Sequence, residues 1–213
     1  MKIEYLGHSC FRLTDEKGVV LLTDPYTRVG YELPRGLRAD IVTVSHGHFD
    51  HNNVSAIENR AKIVNAAGKT VYEDVTIEGI ATWHDDKQGA LRGGNVVYKI
   101  GMDGLTVCHL GDLGEAFRED LAEKIGQVDV LLLPIGGTYT IDAVQAAEYV
   151  RKLQPKLVIP MHYRPQDGSL DIDGAEAFLN TFEEVVYAQP KNVLTVSAQT
   201  LQKDKTQIVF MER

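Results

Sequence analysis

The chain has 213 residues and only two cysteines, Cys10 and Cys108, neither of them in a Cys-x-x-Cys pair. A disulfide scaffold and a thiolate zinc cage are both excluded. No apolar run approaches the length needed to cross a bilayer. The N-terminus "MKIEYLGHSC" puts Glu4 and His8 where a signal peptide needs unbroken apolar residues. The expectation is a cytoplasmic protein with no membrane partner. Basic residues are scarce as well: 22 Lys and Arg against 30 Asp and Glu give a formal charge of −8. Such a surface repels phosphate backbones, so nucleic acid is not an expected partner. Short-period repeats, low-complexity tracts and Pro/Gly-rich linkers are missing, which leaves one domain over residues 1–213 as the expectation. No Gly-x-Ser-x-Gly segment supplies a serine nucleophile.

What is present is an ordinary globular composition, 44 % hydrophobic and 24 % charged. A chain of this size buries a core without covalent staples. "KIEYLG", "CFRLT" and "VVLLTDP" read as short strands, with "DEKG" as a turn. "ADIVTVSH" is an apolar strand, and "NNVSAIENR" reads as a short helix capped by Asn. "AKIVN", "VTIEGIATW", "NVVYKIG" and "LTVCHLGD" continue as strands, the last two joined by an "MDG" hairpin turn. "EAFREDLAEKIG" reads as a helix stopped by Gly126. "VDVLLLPIGG" and "KLVIPMHY" are almost continuously apolar, hence buried on both faces.

In "TIDAVQAAEYVRKLQP", Ala143, Ala146, Ala147, Val150 and Leu153 share a helical face, with Glu148 and Lys152 paired on another. Pro155 ends that helix. "DGAEAFLNTFEEV" is a third helix, and "VLTVS" and "TQIVFM" close the chain as strands. The fold class these elements predict is α/β, a sandwich with helices outside two sheets.

Several strands end on a metal-capable residue: Asp24, His46, His84, Asp112 and His162. Gathered at one edge of a sandwich, such ends make a pocket on rigid supports. The densest segment is "VSHGHFDHNN". His46 and His48 are two apart, so in extended chain their rings point to the same side. Asp50 and His51 can reach a second point at the following turn. Imidazole with carboxylate suits zinc, manganese or iron and disfavours calcium and magnesium. The alternatives are a polar turn of solvated histidines and a closed structural zinc site, which usually draws on cysteines that this chain lacks.

"SHGHFDH" matches a His-x-His-x-Asp-His signature, and the chain resembles the metallo-β-lactamase superfamily. The likeness runs from "EYLGHSCFRL" and "LLTDP" through "HGHFDH" and "HLGDLG" to "LLLPIGG" and "VIPMHY". It is strongest to the compact lactonase- or phosphodiesterase-like hydrolases. The resemblance implies a four-layer αββα sandwich with two divalent ions at the sheet edge, zinc foremost, with manganese or iron as alternatives. It assigns His46 and His48 to the first ion, Asp50 and His51 to the second, Asp112 to a bridge between them and His162 to the second. The third histidine of the first ion is either His84 or His109, and the family pattern favours His84.

Further residues follow from the same likeness. Asp24 matches an aspartate that holds a metal-bound histidine. His8 faces the site at a strand turn, as a supporting or substrate contact. Tyr163 and Arg92 are candidate substrate contacts. The implied reaction is attack of a metal-bridging hydroxide on a small-molecule ester-type bond, a lactone or phosphodiester, with Asp50 also able to orient the nucleophile or carry its proton. β-Lactam turnover is disfavoured, because two-zinc β-lactamases commonly place Cys or His at the position of Asp112. Leu113 departs from the group, which commonly has Thr there. Other readings are a redox or sulfur-handling enzyme on the same fold and a non-catalytic metal-stabilised module. Oligomeric state is left open.

Overall fold

The computed structural model describes residues 1–201 and 205–213. Its strands are β1 (Lys2–Gly7), β2 (Cys10–Thr14), β3 (Val20–Thr23), β4 (Ile41–Thr43), β5 (Lys62–Val64), β6 (Gly68–Tyr72) and β7 (Val75–Trp83). They continue with β8 (Gly94–Met102), β9 (Leu105–His109), β10 (Val130–Pro134), β11 (Leu157–Met161), β12 (Val185–Tyr187), β13 (Val193–Thr195) and β14 (Gln207–Phe210). Three α-helices are interleaved, α1 (Glu119–Ile125), α2 (Ala143–Leu153) and α3 (Glu176–Leu179).

The strands form two mixed sheets, in the orders β13-β1-β2-β3-β4-β5 and β12-β14-β11-β10-β9-β8-β7-β6. Alternation along the first sheet explains how they stack. Ile3, Tyr5, Phe11, Leu13, Leu21 and Ile41 share the main core with residues of the second sheet, such as Ile77, Ile100 and Val107. The alternate residues Leu6, Cys10, Leu22 and Val42 fill a smaller core on the opposite face. Strands β10 and β11 are buried along their whole length, as their apolar runs require, and helix α2 adds Ala146, Ala147 and Val150 to the same core.

The outer layers are unequal. Helices cover the second sheet, whereas the first is covered mainly by the loop carrying Tyr26, Val29, Leu37 and Ala39. There the segment read as a short helix after the histidine cluster makes only a 3-10 turn, Val54–Ala56, and Asn53 supplies no cap. The other two helices are shorter than their sequence windows. α1 does stop at Gly126, whose φ is 63°. Helix α2 starts with a capping box between Asp142 and Gln145. The expected Glu148–Lys152 pair is not the ion pair formed by Lys152, which instead reaches Glu119 at 3.8 Å. The β8–β9 turn has Asp103 and Gly104 both at positive φ, the twist that two-residue hairpins favour.

β3 runs parallel to β4, and β9, β10 and β11 run parallel to one another. Parallel strands place their C-terminal ends at a common edge, and that edge collects the strand-end residues singled out in the sequence. Two glycines permit the close packing there. A Cβ on Gly114 would overlap the His84 backbone, and one on Gly136 the His162 carbonyl.

Candidate metal centre

His46, His48 and His84 each bring a ring nitrogen to within 4.8 Å of the others, although His84 lies 33 positions beyond His51 and on the opposite sheet. His8, Asp50, His51 and His162 do the same, as do His46, His51 and Asp112. Asp112 stands between the His46–His48–His84 group and the group of His8, Asp50, His51 and His162. Its Oδ2 is 3.3 Å from His84 Nε2, 3.2 Å from His162 Nε2 and 3.7 Å from His46 Nε2, and its Oδ1 is 3.1 Å from His51 Nε2. Yet His46 Nε2, His162 Nε2 and Asp112 Oδ1 are buried without a hydrogen-bond partner. Buried polar atoms left unpaired are costly. Donors that crowd together without pairing are aimed at a common centre, which is what a cation requires.

Proton placement supports that fit. Asp24 Oδ1 accepts from the Ser45 backbone N–H at 2.8 Å, and Oδ2 accepts from Ser45 Oγ at 2.6 Å. His51 Nδ1 donates to the same Oδ2 at 2.8 Å, leaving its Nε2 lone pair free for a metal. With the Ser45 proton given to Asp24, His46 Nδ1 is the donor to Ser45 Oγ at 2.9 Å, which frees His46 Nε2 in the same way. Burial pushes His46 down to about 3 and His8 down to about 4, so both rings are neutral at pH 7. Burial also opposes charge on His51, but the Asp112 and Asp24 carboxylates outweigh it and hold that ring above its ordinary range. Asp24, Asp50 and Asp112 are all held below the usual carboxylate range despite burial, by the histidines around them.

A family model described as the beta-lactamase superfamily domain matches residues 2–162. A UPF0173 metal-dependent hydrolase of Pyrococcus furiosus is 33 % identical over 193 aligned residues, covering 76 % of this chain and 84 % of the relative. The chain belongs to the metallo-β-lactamase superfamily. Another metal-dependent hydrolase, from Thermococcus onnurineus, is 28 % identical and covers 91 % of this chain and 99 % of its own length. A Thermotoga maritima crystal structure described as a Zn-dependent hydrolase of the metallo-β-lactamase superfamily aligns at a TM-score of 0.80 with 32 % identity, covering 99 % of both chains. This chain is accordingly a metal-dependent hydrolase of that superfamily.

In this metallo-β-lactamase-superfamily member, the two candidates for the third histidine part company. His84 joins His46 and His48, whereas His109 is fully buried and hydrogen-bonded at both nitrogens. Its Nε2 donates to the Ser9 carbonyl at 2.9 Å and its Nδ1 accepts from Gly111 N–H at 3.1 Å. Tyr163 is buried, and its hydroxyl donates to the Met211 carbonyl at 2.8 Å. Arg92 lies on the loop beyond His84, where it donates to Thr138 O at 3.0 Å and sits 5.4 Å over the Tyr139 ring. Leu113 is in the core.

Two positioning residues were missed. Asp85, beside His84, accepts four backbone N–H bonds, from Lys87, Gly89, Leu91 and Arg92, at 2.8–3.0 Å. Burial raises its pKa, but these donors outweigh that and hold its carboxyl low. An acidic pair followed by a Gly-containing loop was the available signal. Asn95 Oδ1 accepts from Asp112 N–H at 2.9 Å, while its Nδ2 donates to Leu110 O at 2.9 Å. That role depends on pairing between β8 and the β9 end and left no local trace in sequence.

Proposed function

We propose that the chain is a dinuclear hydrolase of small-molecule ester-type bonds, lactones or phosphodiesters, with His46, His48 and His84 holding one divalent ion and Asp50, His51 and His162 the other. The observation that carries this reading is the position of Asp112, whose carboxylate lies within 3.1–3.7 Å of ring nitrogens from both groups. Zinc is the first candidate for both positions, with manganese or iron as alternatives. Divalent ions there would acidify water and polarise a carbonyl or phosphoryl oxygen.

The side chains divide the remaining work. Asp50 is the more accessible cluster carboxylate, with 12 % of its side chain exposed against 2 % for Asp112. It can therefore orient a water or carry its proton. Ser45 Oγ is committed to Asp24, which removes it as a nucleophile. Burial pushes the Cys108 thiol up to about 12 and the Cys10 thiol well above its ordinary value, so neither supplies a thiolate. Arg92, on the loop that follows His84, is the candidate cation for an anionic substrate group.

A panel of lactones, phosphodiesters and thioesters, tested against zinc-, manganese- and iron-loaded protein, examines the reading. The expected result is cleavage of a lactone or phosphodiester that is lost on chelation, with about two ions per chain, as a bridged site requires. At most one ion after saturation, or no ester cleaved by any loaded form, overturns it.

A further inference from the structure

His8 lies outside the ligand set that the superfamily resemblance assigns, yet it is spaced as a ligand. Its Nε2 is 3.2 Å from Asp50 Oδ2 and 3.2 Å from His51 Nε2, and those two atoms are 3.6 Å apart. Nitrogen and oxygen donors at ~2.0–2.1 Å from a tetrahedral zinc stand about 3.3–3.4 Å from one another. The three spacings fall on either side of that edge length. His162 completes the group, its ring centroid 4.3 Å from that of His8.

His51 Nδ1 donates to Asp24, so its Nε2 is the nitrogen left for a metal, and an ionised Asp50 only accepts. A cation in place of the Nε2 proton would face all three lone pairs at once.

The backbone holds His8 in this place. Residue 8 is 1 % exposed and adopts φ 53°, a left-handed conformation uncommon for a non-glycine residue. Its N–H donates to Tyr31 Oη at 3.0 Å, and its carbonyl accepts from Tyr5 Oη at 3.1 Å and from the His162 N–H at 2.9 Å. The last bond ties it directly to a predicted ligand on the other sheet.

We propose that His8 is a further metal ligand, through Nε2, joining Asp50, His51 and His162 around the second ion. This rests on the dinuclear reading above. With Asp112 shared by both ions, the His8 group carries one more protein donor than the His46 group, and a position filled by protein donors is a closed one. Room for water and substrate therefore lies with His46, His48 and His84, where His48 is exposed.

Cadmium NMR on protein carrying nitrogen-labelled histidine tests the assignment without any substitution. Two cadmium resonances are expected, one coupled to ring nitrogens of His8, His51 and His162, the other to those of His46, His48 and His84. Two resonances with His8 uncoupled would overturn this inference and leave the dinuclear reading standing. One resonance or none overturns both. His8→Gln keeps an N–H donor but lacks the imidazole lone pair. Its buried ion should weaken by more than the ~10–100-fold lost with a merely supporting contact. Wild-type affinity in a folded His8→Gln variant would reduce His8 to a hydrogen-bond donor.

Discussion

The two halves of the candidate metal centre are built differently. The half containing Asp50, His51 and His162 is buried and fixed from several directions: Asp24 sets the His51 tautomer, and the backbones of His8 and His162 are bonded to each other. The half containing His46, His48 and His84 opens to solvent at His48, and His84 depends on the loop that Asp85 gathers. A rigid, enclosed half suits tight retention of an ion. An edge-facing half suits exchange of water and substrate.

The sharpest way to break that contrast is to remove the residue common to both halves. Asp112→Ala is expected to take bound metal from about two ions toward none. Any hydrolytic rate should fall by more than the ~10²-fold typical of lost supporting contacts, as elemental analysis and kinetics can establish. Asp24→Ala should act mainly on the enclosed half, because His51 loses the acceptor that fixes its tautomer. Calorimetric titration should show metal affinity lower by ~10–100-fold there. Equal weakening of both ions would show instead that the relay through Ser45 to His46 matters as much.

Asp85→Ala addresses the open half. We expect the ion near His84 to weaken by about tenfold, the lower end for a supporting contact, with faster amide exchange over residues 87–92. Unchanged exchange would show that the loop holds itself.

Acid should sharpen the contrast in chelated protein. His8 and His46 have folded pKa values of about 4 and about 3, below the unfolded value near ~6.5. The unfolded chain therefore binds protons that the folded chain does not, and stability falls as pH drops from about 6.5 toward 4. His51 has the opposite sign: its raised folded pKa contributes stability that is fully present below the unfolded value near ~6.5 and is lost only as pH rises through the raised folded pKa. Burial lowers His84 and His109 in the same direction, so with four groups against one the metal-free protein should lose a few kcal/mol between pH 7 and 5, read as a fall in melting temperature of about 4 °C or more. A melting temperature that rises on acidification would overturn this balance. The smallest effect is expected from Tyr163→Phe, which lies outside both halves. It should leave hydrolysis unchanged and cost about 1 kcal/mol of stability for the bond to Met211.

The enclosed half was the more legible in sequence. Its candidate ligands follow strands with strong apolar patterning, so both the strand ends and the shared edge could be read before any coordinates. The open half was less so, since choosing His84 over His109 required knowing that Ser9 and Gly111 already occupy both nitrogens of His109. Tyr163 was considered because it adjoins His162, but the chain leaves the strand at His162, whose φ is 51°, and the Tyr163 hydroxyl bonds Met211. The cover of the first sheet was illegible for another reason. Loop residues such as Val29 and Leu37 are buried there without helical or strand periodicity. Strands β6 and β12 were missed too; their sequences "GKTVY" and "VVY" are short and largely exposed, so burial left little pattern in them.

The division of candidate ligands between the sheets has a mechanical meaning. His8, His46, His48, Asp50 and His51 follow strands of the first sheet, while His84, Asp112 and His162 follow strands of the second. Ions held among them would rivet the sheets together along one edge, where neither cysteine is paired. Because a ligand of the folded state alone shifts the folding equilibrium by mass action, a chelator would act on this protein as a selective denaturant of that seam.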